Sequence, residues 1–273
     1  APRWGVHVRS ESDGGPSDSS RNLIARNRLA TLGEQTKDFG AISLIAYEGA
    51  PAANTTIEHN CVRDVRGVYS DADGVVWDGY MSYGVYLDNE ASGYAVRQNV
   101  LRGATRGNVF FHLGRANVIE NNVLVNATNA DGHGGQLAVT GKAGVTGNNS
   151  FSRNVVAFSQ TATSCVWYDG GGQANFKPHY LPAARVEANV YFPYSETVAS
   201  RASPELSVPT WFGAPSLTPL GNWSDWTRAG YENGSVIADA RFVDMRAGNF
   251  CLKPDSPAYA LGFEPLPSAV CDC

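Results

Sequence analysis

The chain has 273 residues, 43% of them hydrophobic and 17% charged, with a formal net charge of −5, and that length buries a sizeable core in one elongated domain. It has no basic run to displace counterions from a phosphate backbone, which argues against nucleic acid as a partner. No apolar run approaches the length of a membrane span, which argues against membrane insertion. Twenty-nine Gly and 14 Pro mark a chain that turns often, and the first residues, APRWGVHVRSESDGG, lack a signal peptide's basic and apolar regions.

The strand pattern begins at Trp4-Gly5-Val6-His7-Val8-Arg9, with no amphipathic helix before it to cover the edge. The expectation is that a stacking partner chain or a preceding domain covers this N-terminal coil. From there apolar-x-x-Asn recurs at Ile24…Asn27, Ile57…Asn60, Val96…Asn99, Ile119…Asn122, Phe151…Asn154 and Val186…Asn189, which predicts six coils. Residues 84–127 state the repeat most plainly. Gly84-Val85-Tyr86-Leu87-Asp88 returns as Val109-Phe110-Phe111-His112-Leu113, and Asn99 returns as Asn122, 23 residues on. A period in the twenties made of short β-type runs and tight turns is the signature of a solenoid. Two short strands per repeat predict an all-β parallel β-helix over residues 1–194. There like residues stack at about 4.8 Å and Asn side chains hydrogen-bond along a ladder.

Three insertions interrupt the coils, at 68–82, 126–135 and 170–184. In the first, Asp71-Ala72-Asp73-Gly74 resembles the start of a calcium loop but lacks the later ligands, so an Asp-Gly turn is the stronger reading and no cofactor is expected. The second holds His133 in a Gly-rich turn beside the coil that carries His112. From 195 the pattern dissolves into Pro- and Trp-rich sequence, and 195–273 is expected to form an irregular C-terminal cap.

Five cysteines have no zinc-ligand spacing. Cys251 with Cys271 or Cys273 is the expected tail staple, and Cys61 reads as a buried small hydrophobe. Sequons at Asn54, Asn126, Asn148, Asn222 and Asn233 fit an extracellular glycoprotein.

Alternation within GVYLD sends Val85 and Leu87 inward and Tyr86 and Asp88 outward. Stacking then builds one outward column of His7, Tyr86, Phe110, Ala138 and Trp167, and a second of Arg9, Asp88, His112, Thr140 and Asp169. The register of AISLIAYEG is open, with Tyr47 and Glu48 falling near these columns. Aromatic faces beside ionisable groups suit a groove for an extended sugar chain, with Tyr86, Phe110, Arg115, His133, Trp167 and Asp169 as binding residues.

GVYLDNEASG…VRQNVL followed by VFFHLGRANVIENNVLV resembles the repeat of right-handed parallel β-helix proteins near glycoside hydrolase family 141, and the tail SVIADARFVDMRAGNFCLKPDSPAYALGFEPLP is similar to that group's closing segment. The resemblance implies a right-handed helix and a carboxylate pair matched by Asp38 and Asp88, one protonating the leaving oxygen and the other activating water or attacking the sugar. If those two lie too far apart, Glu48 beside Asp88 takes the partner's role. The resulting expectation is a secreted hydrolase of a polysaccharide or glycan using Asp38, Asp88, His112 and Glu48. A lyase or epimerase, and a non-enzymatic module of an extracellular glycoprotein or filament, are the alternatives.

Overall fold

The computed structural model describes residues 3–10, 19–47, 52–127, 135–140, 146–159, 166–169, 184–194, 223–228 and 230–273, with the backbone alone at 166–169, 184 and 225–226. The first rung is β1 (Val6–Ser10), β2 (Leu23–Ala25) and β3 (Arg28–Leu32). The second is β4 (Phe39–Ala46), β5 (Thr55–Glu58) and β6 (Cys61–Val65). A hairpin of β7 (Val68–Ser70) and β8 (Val76–Asp78) precedes the third rung, β9 (Ser82–Asn89), β10 (Tyr94–Arg97) and β11 (Val100–Ala104). The fourth is β12 (Gly107–His112), β13 (Val118–Glu120) and β14 (Val123–Val125), and the fifth β15 (Gly135–Thr140), β16 (Asn149–Ser152) and β17 (Val155–Ser159). The sixth is β18 (Val166–Asp169), β19 (Ala184–Glu187) and β20 (Val190–Tyr194), after which β21 (Val236–Ile237) adds to β20. First strands of all rungs form one parallel sheet, second strands another, and third strands a third. The chain is mostly β and its main sheets are parallel.

Each repeat therefore holds three strands, not the two expected. Runs such as Val96-Arg97-Gln98-Asn99-Val100 look continuous in sequence but bend at the residue before the ladder Asn. Arg26, His59, Gln98, Asn121, Arg153 and Ala188 all take left-handed backbone conformations there, with φ between 52° and 59°. Each such residue costs about 1–2 kcal/mol in an L-amino acid. The ladder Asn offsets that cost by satisfying the polar groups the bend would strand.

Asn99 shows how. Its Nδ2 donates to the Ile57 carbonyl at 2.9 Å and to Asn122 Oδ1 at 3.0 Å, and its Oδ1 accepts from the Asn60 backbone N–H at 2.9 Å and Asn60 Nδ2 at 3.0 Å. The same bonds repeat from Asn27 to Asn189, and Asn60, Asn99, Asn122 and Asn189 are fully buried. A second column at the corner between the first and second sheets runs through Asn117 and Asn149, again with Oδ1 receiving a backbone N–H from the preceding rung. Inside the three sheets, like stacks on like. Ile57, Val96, Ile119, Phe151 and Val186 form one apolar file, and Val62, Leu101, Leu124, Val156 and Tyr191 another.

The ladder ends on a buried carboxylate. Glu232 accepts from Asn189 Nδ2 at 3.1 Å, from Ser235 Oγ at 2.6 Å and from the Tyr191 hydroxyl at 2.5 Å. Beyond it the chain does not stay on the last rung as an end cap. Phe242, Phe250, Ala258, Phe263 and Val270 lie along the outer face of the third sheet on Val100, Val123, Val155 and Val190. Val100, Val123, Val155 and Val190 all carry a β-branched side chain outward, and this apolar stripe is what draws the tail sideways. The strap reaches back to the first two rungs, where Arg28 donates to the carbonyls of Ala269 and Asp272. A disulfide joins Cys61 to Cys273 and a second joins Cys251 to Cys271. Cys61, read from sequence as a plain hydrophobe, is thus the strap's anchor.

Candidate functional site

Register places the outward columns of the first sheet. His7 pairs with Ser43, Ser43 with Tyr86, Tyr86 with Phe110, Phe110 with Ala138 and Ala138 with Trp167. Arg9 pairs with Ile45 and Ile45 with Asp88, while His112 pairs with Thr140 and Thr140 with Asp169. The backbone register of both columns follows the expected alternation. The second rung contributes Ser43 and Ile45, so Ile45 stands beside Asp88 where Glu48 was expected; Glu48 itself lies outside the described residues. His133 and Asn222 also lie outside them, as do the side chains of Trp167 and Asp169.

Asp88 and His112 are in contact. Their Oδ1 and Nδ1 lie 2.8 Å apart, and the Asp88 and His112 side chains are 19% and 30% exposed, so the pair is reachable from solvent. The Asn89 N–H donates to the same Oδ1 at 2.7 Å and lies 3.2 Å from Nδ1. Nδ1 and Oδ1 cannot both be bare acceptors at 2.8 Å. The consistent assignment has Nδ1–H donating to Asp88, with the Asn89 N–H on the same oxygen, which leaves Nε2 as the unprotonated ring nitrogen. Tyr86 lies close below. Burial first, then the charges of Asp88 and Asp38, push its phenol far above the ordinary tyrosine range, so it stays protonated and Asp88 is among its hydrogen-bond partners.

The aromatic column differs from an open sugar platform. Tyr86 and Phe110 are 5% and 6% exposed and stack on each other at 5.0 Å, with Tyr83 4.7 Å from Tyr86 and 4.6 Å from Phe110. These three rings and Ala138 form a small outer core, and it is the edge of this core that His112 meets, 5.5 Å from Phe110. Tyr86 and Phe110 therefore support the pair from beneath, because their faces are already covered. Sequence alternation missed Tyr83. The strict inward–outward order breaks at Gly84, where a side chain would stand 2.5 Å from the Asn108 carbonyl oxygen.

Asp38 and Asp88 leave the first sheet at different points of their strands, yet both carboxylates act on the Tyr86 phenol. Asp38 immediately precedes Phe39, which pairs with Ser82, whereas Asp88 pairs with Ile45. The partner in contact with Asp88 is an imidazole. Arg115 is exposed and sits round the corner beyond His112, its backbone N–H donating to Ser92 Oγ at 3.1 Å.

At the N-terminal side of the columns lies a cationic group. Trp4 stacks on His7 at 4.2 Å, the Arg3 guanidinium covers Trp4 at 4.7 Å, and the Arg9 guanidinium covers Tyr47 at 5.1 Å. Burial, then Arg3 and Arg9, hold the His7 imidazole below its ordinary value, while Asp88 pulls it the other way. Arg3, His7, Arg9, Asp88 and His112 thus share one face.

Asp71 serves its own loop. Its Oδ1 accepts from the Asp73 and Val75 N–H groups at 3.1 and 2.9 Å, and its Oδ2 accepts from the Trp77 indole at 3.0 Å. Those donors, Trp77 first, hold its carboxyl below the usual range. Among the sequons, Asn54, Asn126 and Asn148 have φ of 46°, 46° and 54°, conformations that Asn tolerates better than most residues, so their identity also has a backbone reason. Asn54, Asn148 and Asn233 are exposed, whereas Asn126 Oδ1 accepts from the Ser159 N–H at 3.2 Å.

Among known proteins, no family model, curated sequence or solved structure matches this chain.

Proposed function

We propose that the three sheets wind as a right-handed parallel β-helix resembling glycoside hydrolase family 141, and that the chain is a secreted enzyme acting on a polysaccharide or glycan by proton transfer at His112. The single observation behind the chemistry is the 2.8 Å contact between His112 and Asp88 on a solvent-reachable outward column. A carboxylate on Nδ1–H fixes the tautomer, leaves Nε2 able to accept a proton and stabilises the imidazolium that then forms. In a hydrolase Nε2 would take the proton of the attacking water. The two disulfides are consistent with an oxidising, extracellular compartment.

A second enzyme reading is favoured by the same contact. A lyase or epimerase needs one base and nearby cations rather than two carboxylates, and His112 with Arg9 and Arg3 on its face supplies them. Products carrying a new ultraviolet-absorbing double bond identify the lyase; new reducing ends without that absorbance identify the hydrolase. Turnover of no member of a broad glycan panel would sink both and leave the non-enzymatic module.

A further inference from the structure

We infer that Asn89 is a positioning residue for the Asp88–His112 pair, and that its left-handed backbone rather than its amide side chain does the positioning. This rests on the proton-transfer reading above and adds a residue to the same site.

Both strands that carry the pair leave the sheet through a left-handed residue. Asn89 follows Asp88 with φ of 54°, and Leu113 follows His112 with φ of 73°. Ser10 and Ala46, at the level of Asn89 on the first two rungs, lie outside that region, so of the described residues at this level only those on the rungs that bear the pair are left-handed. Such outliers run against side-chain sterics, least for Asn and more for Leu, and they gather where a site needs them. The hydrogen bonds show what the exit does. The Asn89 N–H turns back onto Asp88 Oδ1 at 2.7 Å, beside the Nδ1–H of His112, so two donors converge on one carboxylate oxygen and fix its direction. On the far side the chain is anchored, because the Glu90 N–H donates to the Ala46 carbonyl and the Ala91 N–H to the Asp88 carbonyl, both at 3.1 Å. With those anchors in place, moving φ of Asn89 to the ordinary region swings the peptide between Asp88 and Asn89 and takes its N–H off Oδ1. The Asn89 amide side chain enters no hydrogen bond among the described residues. Asn stands there because it takes a left-handed backbone at low cost.

The test uses the full chain labelled with nitrogen-15 and reads, from the ring nitrogen shifts of His112 by NMR, the ratio of its Nδ1–H form to its Nε2–H form. The wild-type protein is expected to hold mainly the Nδ1–H form, and Asn89→Gly, for which a left-handed backbone carries no steric cost, to keep it. Asn89→Val, whose β-branched side chain resists φ near 54°, should lower the ratio about tenfold, the worth of one hydrogen bond to a charged oxygen. A merely structural residue would lower the melting temperature in Asn89→Val and leave the ratio alone. If Asn89→Val does not fold, Asn89→Ala decides by the same ratio. An unchanged ratio in the folded Val or Ala variant, or Nε2–H as the main form in the wild-type protein, overturns the inference. So does a fall in Asn89→Gly as large as in Asn89→Val, which would place the effect in the amide side chain. His112→Gln separates the two readings. Unaltered turnover of the glycan panel in that variant, with the His112 ratio still dependent on Asn89, defeats only the proton-transfer reading; a ratio indifferent to Asn89, while turnover depends on His112, defeats only this one.

Discussion

Replacing Asn99 by Ala would show whether the stacked amides hold the rungs together. The side chain is fully buried, and its removal strands the Asn60 backbone N–H, which donates to Oδ1 at 2.9 Å, and the Ile57 carbonyl, which accepts from Nδ2 at 2.9 Å. The Arg97 carbonyl, at 2.9 Å, loses a donor at a half-exposed position and is rescued by water. Asn122 Oδ1 keeps the Asn99 backbone N–H as a donor, so it is not orphaned. Two fully stranded groups at about 1–3 kcal/mol each give a loss of roughly 2–6 kcal/mol. Asn27→Ala is the internal control. Asn27 is only half-buried and receives no bond from a preceding ladder Asn, so its loss should cost about 1 kcal/mol. Urea denaturation of the two variants measures the difference through the midpoint at constant slope. Equal, small losses for Asn99→Ala and Asn27→Ala would refute the argument that ladder burial stabilises the bends.

Further outcomes follow from other parts of the molecule. Gly114→Ala places a Cβ 1.8 Å from the Ala91 carbonyl oxygen, a backbone atom that cannot swing away, so a loss of several kcal/mol and a shifted His112 resonance are expected by denaturation and NMR. Cys61→Ser frees the end of the strap and should cost about 2–5 kcal/mol in unfolding experiments, with the outer face of the third sheet gaining hydrogen exchange. His7, whose native pKa is depressed, takes up its proton first in the unfolded chain. Stability should therefore fall as pH drops below about 6.5, and His7→Gln should flatten that slope in thermal melts; an unchanged slope would show that His7 does not contribute.

The stacking order was legible because two signals of different period agreed. Asn recurs at apolar-x-x-Asn whatever the insertion length, and GVYLD alternates cleanly, so Asp88 and His112 fall in one column. The third strand of each rung was hidden because its start is marked by a backbone conformation, not a composition: of the six left-handed corner residues only His59 and Asn121 are types enriched there. The register of the second rung was hidden for a different reason. Phe39, Ala41, Ile42 and Leu44 are all buried and Ile45 is apolar too, so AISLIAYEG has no polar alternation to read, and Ser43 could not be recognised as the outward residue. The tail's course was illegible because the stripe it covers, Val100, Val123, Val155 and Val190, occupies outward positions that look like ordinary strand residues until a rung is closed. The burial of Tyr86 and Phe110 depends on Tyr83, which joins them only because strand order breaks at Gly84.

The central claim is that His112, held by Asp88, moves a proton on a glycan. Turnover of a glycan panel rich in uronate polymers by the wild-type protein and by His112→Gln tests it most directly, with folding verified by circular dichroism. The account predicts turnover by the wild-type protein and a loss of about 10²–10⁴-fold in the variant with glycan binding retained. Equal rates from the two proteins would contradict it.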